Sequence, residues 1–203
     1  MREGRDVGRT SIFAAVSLDG FIAGDDDTIG PLFDWYGNGD VAGTFSDESR
    51  VFHTTRATAD FLYSFAPRIA AGVIGRRLFD LTNGWNGVPA NGEHVFVVTH
   101  QPPADWEHAG TAPFTFVDGV RSAIEQARAY AGDRDVSVAA GDVGGQAQRE
   151  GLIDQVVLNL VPVVLRLGKP YLGSGGPPEA LLEDPVAVVR GKRVLHLVHD
   201  VRR

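Results

Sequence analysis

The chain has 203 residues, 43% hydrophobic and 22% charged, with a formal net charge of −7 and no cysteine. That balance suits one globular domain and excludes disulfides, thiolate metal sites and a cysteine nucleophile. The lack of a Lys/Arg block argues against nucleic acid as the main partner, because phosphate binding needs a basic face.

The opening MREGRDVGRT is charged and has no apolar centre, so it does not read as a secretory signal, and residues 1–10 are expected to be frayed. No run approaches the roughly 18 apolar residues of a membrane span. A soluble, cytoplasmic protein is the expectation.

Along the chain, apolar β-rich runs alternate with helical patterns. A strand is predicted over 11–17, followed by the turn Ser17-Leu18-Asp19-Gly20 and a second apolar stretch, Phe21-Ile22-Ala23. Residues 24–50 are rich in Gly and Asp and lack periodicity, which reads as a long loop. A helix over 55–66 places Phe61, Leu62 and Phe65 on one face and stops at Pro67. A strand over 69–74 leads into a short helix over 76–81.

Strands over 94–99, 114–117 and 135–139 follow, with a helix over 120–131 between the last two. Its stripe is Val120, Ala123, Ile124, Ala127 and Ala131, with Asp118 as the expected cap and Gly132 as the stop. A final helix over 143–150 takes Asp142 as its cap and Gly151 as its end. Strands are then predicted over 154–165, 186–190 and 193–201, the last two joined as a hairpin by Gly191-Lys192.

Short continuous apolar strands are usually covered on both faces, as in a parallel sheet. The expected class is therefore α/β: one domain, a mixed and mostly parallel sheet, an antiparallel C-terminal hairpin, and helices on both faces. Pro162, inside the 154–165 run, suggests a bend or an exposed edge that a second subunit could cover.

In such sheets ligands bind at the carboxyl ends of the parallel strands, beside helix N-termini. Four strand ends carry small or polar residues. Ala14-Ala15 with Ile22-Ala23 could let a flat ring approach the backbone, or could serve tight helix packing. Gly75-Arg76-Arg77 opens a helix with two cations, which oppose its dipole unless an anion binds; the alternative is two solvated arginines. Thr99-His100 could meet a nucleotide phosphate or form an idle capped turn. Ala139-Ala140-Gly141-Asp142-Val143-Gly144 could cradle a phosphate on backbone amides, or be a packing turn; it lacks the G-x-G-x-x-G spacing.

Asp25-Asp26-Asp27 lacks the spacing of a calcium loop and reads as a solvated loop. His196 and His199 fall on opposite faces of a strand and cannot share a metal.

Taken together, "AAVSLDGFIAG", "VIGRRLFDL…GW", "VFVVTHQPP", "FTFVDGVRSAIEQA", "DVSVAAGDVGGQA" and "GLIDQVVLNLVPVVL" resemble the reductase domain of riboflavin-biosynthesis deaminase–reductase proteins in its free-standing form. The resemblance runs from residue 11 to about 170. It implies a dihydrofolate reductase-like three-layer sandwich, usually a homodimer, that binds NADPH and reduces a C=N or C=O group of a small heterocyclic substrate.

On that basis Ala14, Ala15, Ile22 and Ala23 would frame the nicotinamide. Gly75, Arg76 and Arg77 would lie along the phosphates, Thr99 and His100 near the adenosine 2′-phosphate, and Ala140, Gly141, Asp142, Val143 and Gly144 under the pyrophosphate. Asp19 and Trp35 would shape the substrate mouth and stand as the catalytic candidates, with Asp34 and Asp40 as weaker proton donors and a bound water as another source; the alternative for Asp19 is a turn former bonding its own backbone.

Three places differ from the family pattern: Leu78 where Thr is usual, Ala139-Ala140-Gly141 where Gly-Gly is usual, and Arg166-Leu167-Gly168 in place of a Gly-rich turn. They give a second reading, a non-catalytic ligand-binding dimer, and a third, in which a flavin or deazaflavin replaces the nicotinamide.

Overall fold

In the computed structural model, residues 8–177 and 179–202 are described. The strands are β1 (Thr10–Ser17), β2 (Phe21–Ala23), β3 (Val41–Gly43), β4 (Phe52–Thr54), β5 (Ile69–Gly75), β6 (His94–Val98), β7 (Phe114–Val117), β8 (Asp135–Ala139), β9 (Gln155–Val161), β10 (Lys169–Pro170), β11 (Leu182–Arg190) and β12 (Leu195–Val201). The helices are α1 (Arg56–Phe65), α2 (Arg76–Asn86), α3 (Val120–Ala131) and α4 (Asp142–Arg149), with 3₁₀ segments at Gly30–Gly37 and Ala66–Arg68.

An eight-stranded sheet in the order β11-β12-β9-β1-β8-β5-β6-β7 forms the centre. From β9 to β7 every neighbouring pair is parallel, and β12 and β11 close one end antiparallel. The short apolar runs are buried on both faces, as continuous hydrophobic strands require. On one face α3 and α4 cover Ile12, Val73, Phe96, Val136 and Val138. On the other, α1 and the Gly30–Gly37 segment bury Phe61, Leu62 and Trp35 against Ala15, Val157 and Val198, and α2 buries Phe79 against Ile74, Val95 and Val97.

Several expectations need correction. Thr10, expected to be frayed, is fully buried as the first residue of β1; residues 1–7 lie outside the described residues. The 24–50 stretch is not an unstructured loop. It holds the 3₁₀ segment and, with the residues just after it, the β3–β4 hairpin, organised by stacking of Trp35 on Tyr36 and by Phe45 against Phe52. Such tertiary aromatic contacts leave no periodic trace.

Neither expected aspartate cap forms. Gly119 and Gly141 are the N-caps of α3 and α4, without a side-chain cap; Asp118 instead meets His100. The helix expected over 76–81 runs to Asn86, its last turn left-handed at Asn83, Gly84 and Trp85. β9 ends at Val161, before Pro162, and lies inside the sheet rather than at an edge. The final hairpin turns through residues 191–194, with Arg193 at φ 59, rather than through two residues.

Candidate functional site

The carboxyl ends of β1, β8, β5 and β6 open on one side of the sheet, and the small residues expected there do meet. Gly75 begins α2 as its N-cap, and a Cβ on it would stand 3.1 Å from Val143 Cγ2 of α4. Gly141 sits at φ 87, ψ −149, a conformation open essentially to glycine alone. A Cβ there would lie 3.5 Å from Ile22 Cδ1. The tips of β2, β5 and β8 thus converge on the first turn of α4, whose leading amides lack intrahelical acceptors.

Ala14 and Ala15 point to opposite faces of β1. Ala15 packs beside Trp35, and Ala14 stands in the row with Leu158 of β9. They cannot both line one side of a ring. Trp35 is 1% exposed, with Tyr36 stacked at 3.8 Å and the His196 ring at 5.4 Å, so protein occupies both of its approaches.

Asp19 is held by the chain itself. Its carboxylate accepts from Ser17 Oγ at 2.7 Å, from the Arg166 amide at 2.7 Å and from the Leu165 amide at 3.1 Å. The Ser17 hydroxyl foremost, then those amides, keep its carboxyl below the usual range. It is an ionised anchor for the 163–168 turn, a poor arrangement for a proton donor.

The cations are engaged too. Arg76 pairs with Asp80 at 2.7 Å and donates to the Gln101 carbonyl. Arg77 grips both carboxylate oxygens of Asp27. The aspartate triplet is therefore not a simple solvated loop: Asp26 holds Thr28 and Asp27 holds Arg77. Thr99 Oγ1 donates to the Gln101 carbonyl, and His100 Nδ1 lies 2.6 Å from Asp118, both side chains open to solvent. His196 and His199 do fall on opposite faces: the first is fully buried, and the second meets the Glu183 carbonyl.

Sequence reasoning missed the segment 170–176. Tyr171 accepts the Gly141 amide at 2.7 Å, and the Ser174 amide donates to Asp142 at 2.9 Å. This turn covers one side of the α4 N-terminus. Its signal was the run Gly173-Ser174-Gly175-Gly176, glycines that allow close backbone approach.

No protein-family model and no curated protein matches the chain. Solved structures do. A protein described as a candidate riboflavin biosynthesis protein from Shewanella sp. PV-4 superposes with a TM-score of 0.69 at 18% identity, covering 96% of this chain and 99% of that one. A pyrimidine reductase-like protein of Corynebacterium diphtheriae gives 0.63 at 14% identity, over 97% and 92%. RibD of Acinetobacter baumannii gives 0.61 at 10% identity, over 97% of this chain but 58% of that one.

This chain has the dihydrofolate reductase-like fold. The neighbours agree with the resemblance carried by the motifs. At the edge where Gly75, Gly141 and Val143 meet stand Arg76 and Arg77, each held by an aspartate.

Proposed function

We propose that the chain works as a single reductase domain that binds NADPH across the ends of β1, β8, β5 and β6. The observation that carries this reading is the convergence of Gly75, Gly141 and the first turn of α4 on one tip of a parallel sheet, where a phosphate finds amides and no intervening Cβ. The residues fit the group if it displaces carboxylates: Gly75 and Gly141 bring no side chain of their own, Val143 and Gly144 would offer amides, and Arg76 and Arg77, paired with Asp80 and Asp27, would supply charge once released. The bound nucleotide would supply a hydride for a C=N or C=O group.

The chain's own part is to hold and orient. Ile22 and Ala14 are the apolar groups beside the ring, Thr99 and His100 flank the far phosphate, and Asp19 fixes the 163–168 turn at the mouth. With Asp19 ionised and Trp35 enclosed, the proton for the acceptor comes from water. The substrate is a small molecule, and the protein acts in the cytoplasm; no helix among the described residues is long and apolar enough to cross a membrane.

A thermal-shift titration tests the reading. NADPH at 100 times its dissociation constant should stabilise the protein by about 2.7 kcal/mol. No stabilisation by NADPH, NADH or a flavin would remove it. The second reading, a non-catalytic ligand-binding protein, is favoured by the Arg77–Asp27 pair and by the absence of an acid at Asp19. Tight NADPH binding without oxidation against any carbonyl or imine acceptor would select it.

We also propose a homodimer, through a different surface from the one Pro162 suggested. On the α3–α4 face, Leu158, Leu197 and Val188 align across β9, β12 and β11, beside Leu160 and Leu195. Val186 and Val188 are 59% and 57% exposed. An exposed apolar sheet face of this kind marks an interface. Sedimentation should show about twice 21.8 kDa, and Val188→Glu should shift it to the monomer. A monomeric wild type would remove the idea.

A further inference from the structure

Asp27 and Arg77 are fifty positions apart in the chain, and their contact spans the candidate site. One foot of the bridge is the turn after β2, closed by the Gly24 amide to the Thr28 carbonyl at 2.7 Å and by the Asp27 amide to the Gly24 carbonyl at 3.1 Å. Asp26 stiffens it by holding both the amide and the hydroxyl of Thr28. The other foot is the first turn of α2. Between the two feet lies the β8–α4 turn, because Ile22 adjoins Gly141 on one side and Gly75 adjoins Val143 on the other.

The side chain of Asp27 is 13% exposed, whereas that of Arg77 is 68% exposed. Both carboxylate oxygens face the guanidinium, the bidentate geometry in which Arg also takes phosphate. The Arg77 hydrogen bond foremost holds the Asp27 carboxyl below the usual range. Arg76 cannot stand in freely, being committed to Asp80 and the Gln101 carbonyl.

We propose that Asp27 is a built-in competitor for the anion, a carboxylate strap that occupies Arg77 until a phosphate of the ligand displaces it. This rests on the reading that an anionic cofactor binds these strand ends. An intramolecular carboxylate acts at an effective concentration on the order of millimolar. A small anion, gaining Arg77 and a few amides of the α4 first turn, is held off by it. A dinucleotide, gaining contacts along several strand ends, can. Asp27 is thus a specificity-determining residue: it excludes free phosphate and pyrophosphate and admits a ligand with further contacts.

Asp27→Asn keeps the size and, since Asn tolerates the φ of 67 found there, the turn. Calorimetric titration with NADPH and with inorganic pyrophosphate is the test. The variant should bind NADPH about 5- to 20-fold more tightly than wild type and should gain measurable pyrophosphate binding. Both gains should vanish in Asp27→Asn/Arg77→Gln. Should Asp27→Asn fold poorly, Asp27→Ser is titrated in its place, with the same results expected. NADPH binding of equal strength in wild type and variant, with no pyrophosphate binding, would overturn the strap and leave the cofactor reading. A gain in pyrophosphate binding that depends on Arg77, with NADPH bound by neither protein, would uphold the strap and overturn the cofactor reading. Binding of neither probe by the variant overturns both.

Discussion

His196→Ala is expected to destabilise the protein by about 3–5 kcal/mol, the scale of deleting a buried ring and orphaning its partners. His196 has no exposed surface. Its Nδ1 meets Asn159 Oδ1 at 2.7 Å and its Nε2 meets Thr58 Oγ1 at 3.0 Å, while its ring stacks on Phe61 at 4.4 Å. An amide oxygen can only accept, so Nδ1 carries the proton and Nε2 accepts from the Thr58 hydroxyl. Asn159 in turn donates to the Ala14 carbonyl at 3.3 Å. The network ties α1, β12, β9 and β1 together, and removing the imidazole takes away the partner of Asn159 Oδ1 and leaves the Thr58 hydroxyl only the bond it accepts from Thr55. For a domain of this size the melting temperature should fall by roughly 10 °C. A loss under about 1 kcal/mol would show that the network contributes little.

The same histidine predicts a pH dependence. Burial pushes its pKa down from 6.5 to about 4. Between those values the unfolded chain binds a proton that the folded chain refuses. Stability is therefore full above pH 6.5, declines as the pH falls towards 4, and stops declining from this source below that, by about 3 kcal/mol in all. His94, half-buried and also shifted down, adds to the same slope. Denaturant titrations from pH 7.5 to 4 should show the decline in wild type and in His94→Gln, and a much flatter profile in His196→Gln. An unchanged slope in His196→Gln would remove the assignment.

The second large effect is expected at Gly145. A Cβ there would stand 1.8 Å from the Leu172 carbonyl oxygen and 2.8 Å from the Gly176 amide nitrogen, both backbone atoms that cannot rotate away. Gly145→Ala must push α4 from the 170–176 turn. That endangers the bond from the Gly141 amide to Tyr171 and the one from Arg149 to the Gly176 carbonyl. Overpacking of this kind costs about 1–3 kcal/mol, and a lost hydrogen bond about 1 kcal/mol more. The expected loss is about 3 kcal/mol, read as a drop in the denaturation midpoint, with NADPH stabilisation weakened in parallel because the α4 first turn moves. Gly37→Ala is the control: nothing lies within 4 Å of its Cβ position. Equal stability of the two variants would mean that the turn does not press on α4.

Much of the architecture was legible. Runs such as IAAGVI and HVFVV are apolar without alternation because both faces of a parallel strand are covered, and that follows from composition alone. The α3 stripe was legible because helical period and burial coincide, and all five of its apolar positions are buried. The small residues at two strand ends were also legible as places of close approach: Gly75 lies against Val143 and Gly141 against Ile22.

The site's electrostatics were not legible. Arg76 and Arg77 read as free cations, yet one is held by Asp80 and the other by Asp27. Asp19 read either as a residue of the substrate mouth or as a turn former bonding its own backbone, yet it is the anchor of a turn nearly 150 residues later.

What the order of residues determined by itself was the set of local choices: period, turn chemistry and the places where only glycine fits. Which strand neighbours which, that His196 would be sealed between Asn159 and Thr58, and that a carboxylate would close over Arg77 were decided only by the tertiary structure. The physical reason is range. Backbone propensity and amphipathic period act over a few residues, whereas desolvation and charge pairing depend on groups that the chain brings together only once the sheet has formed.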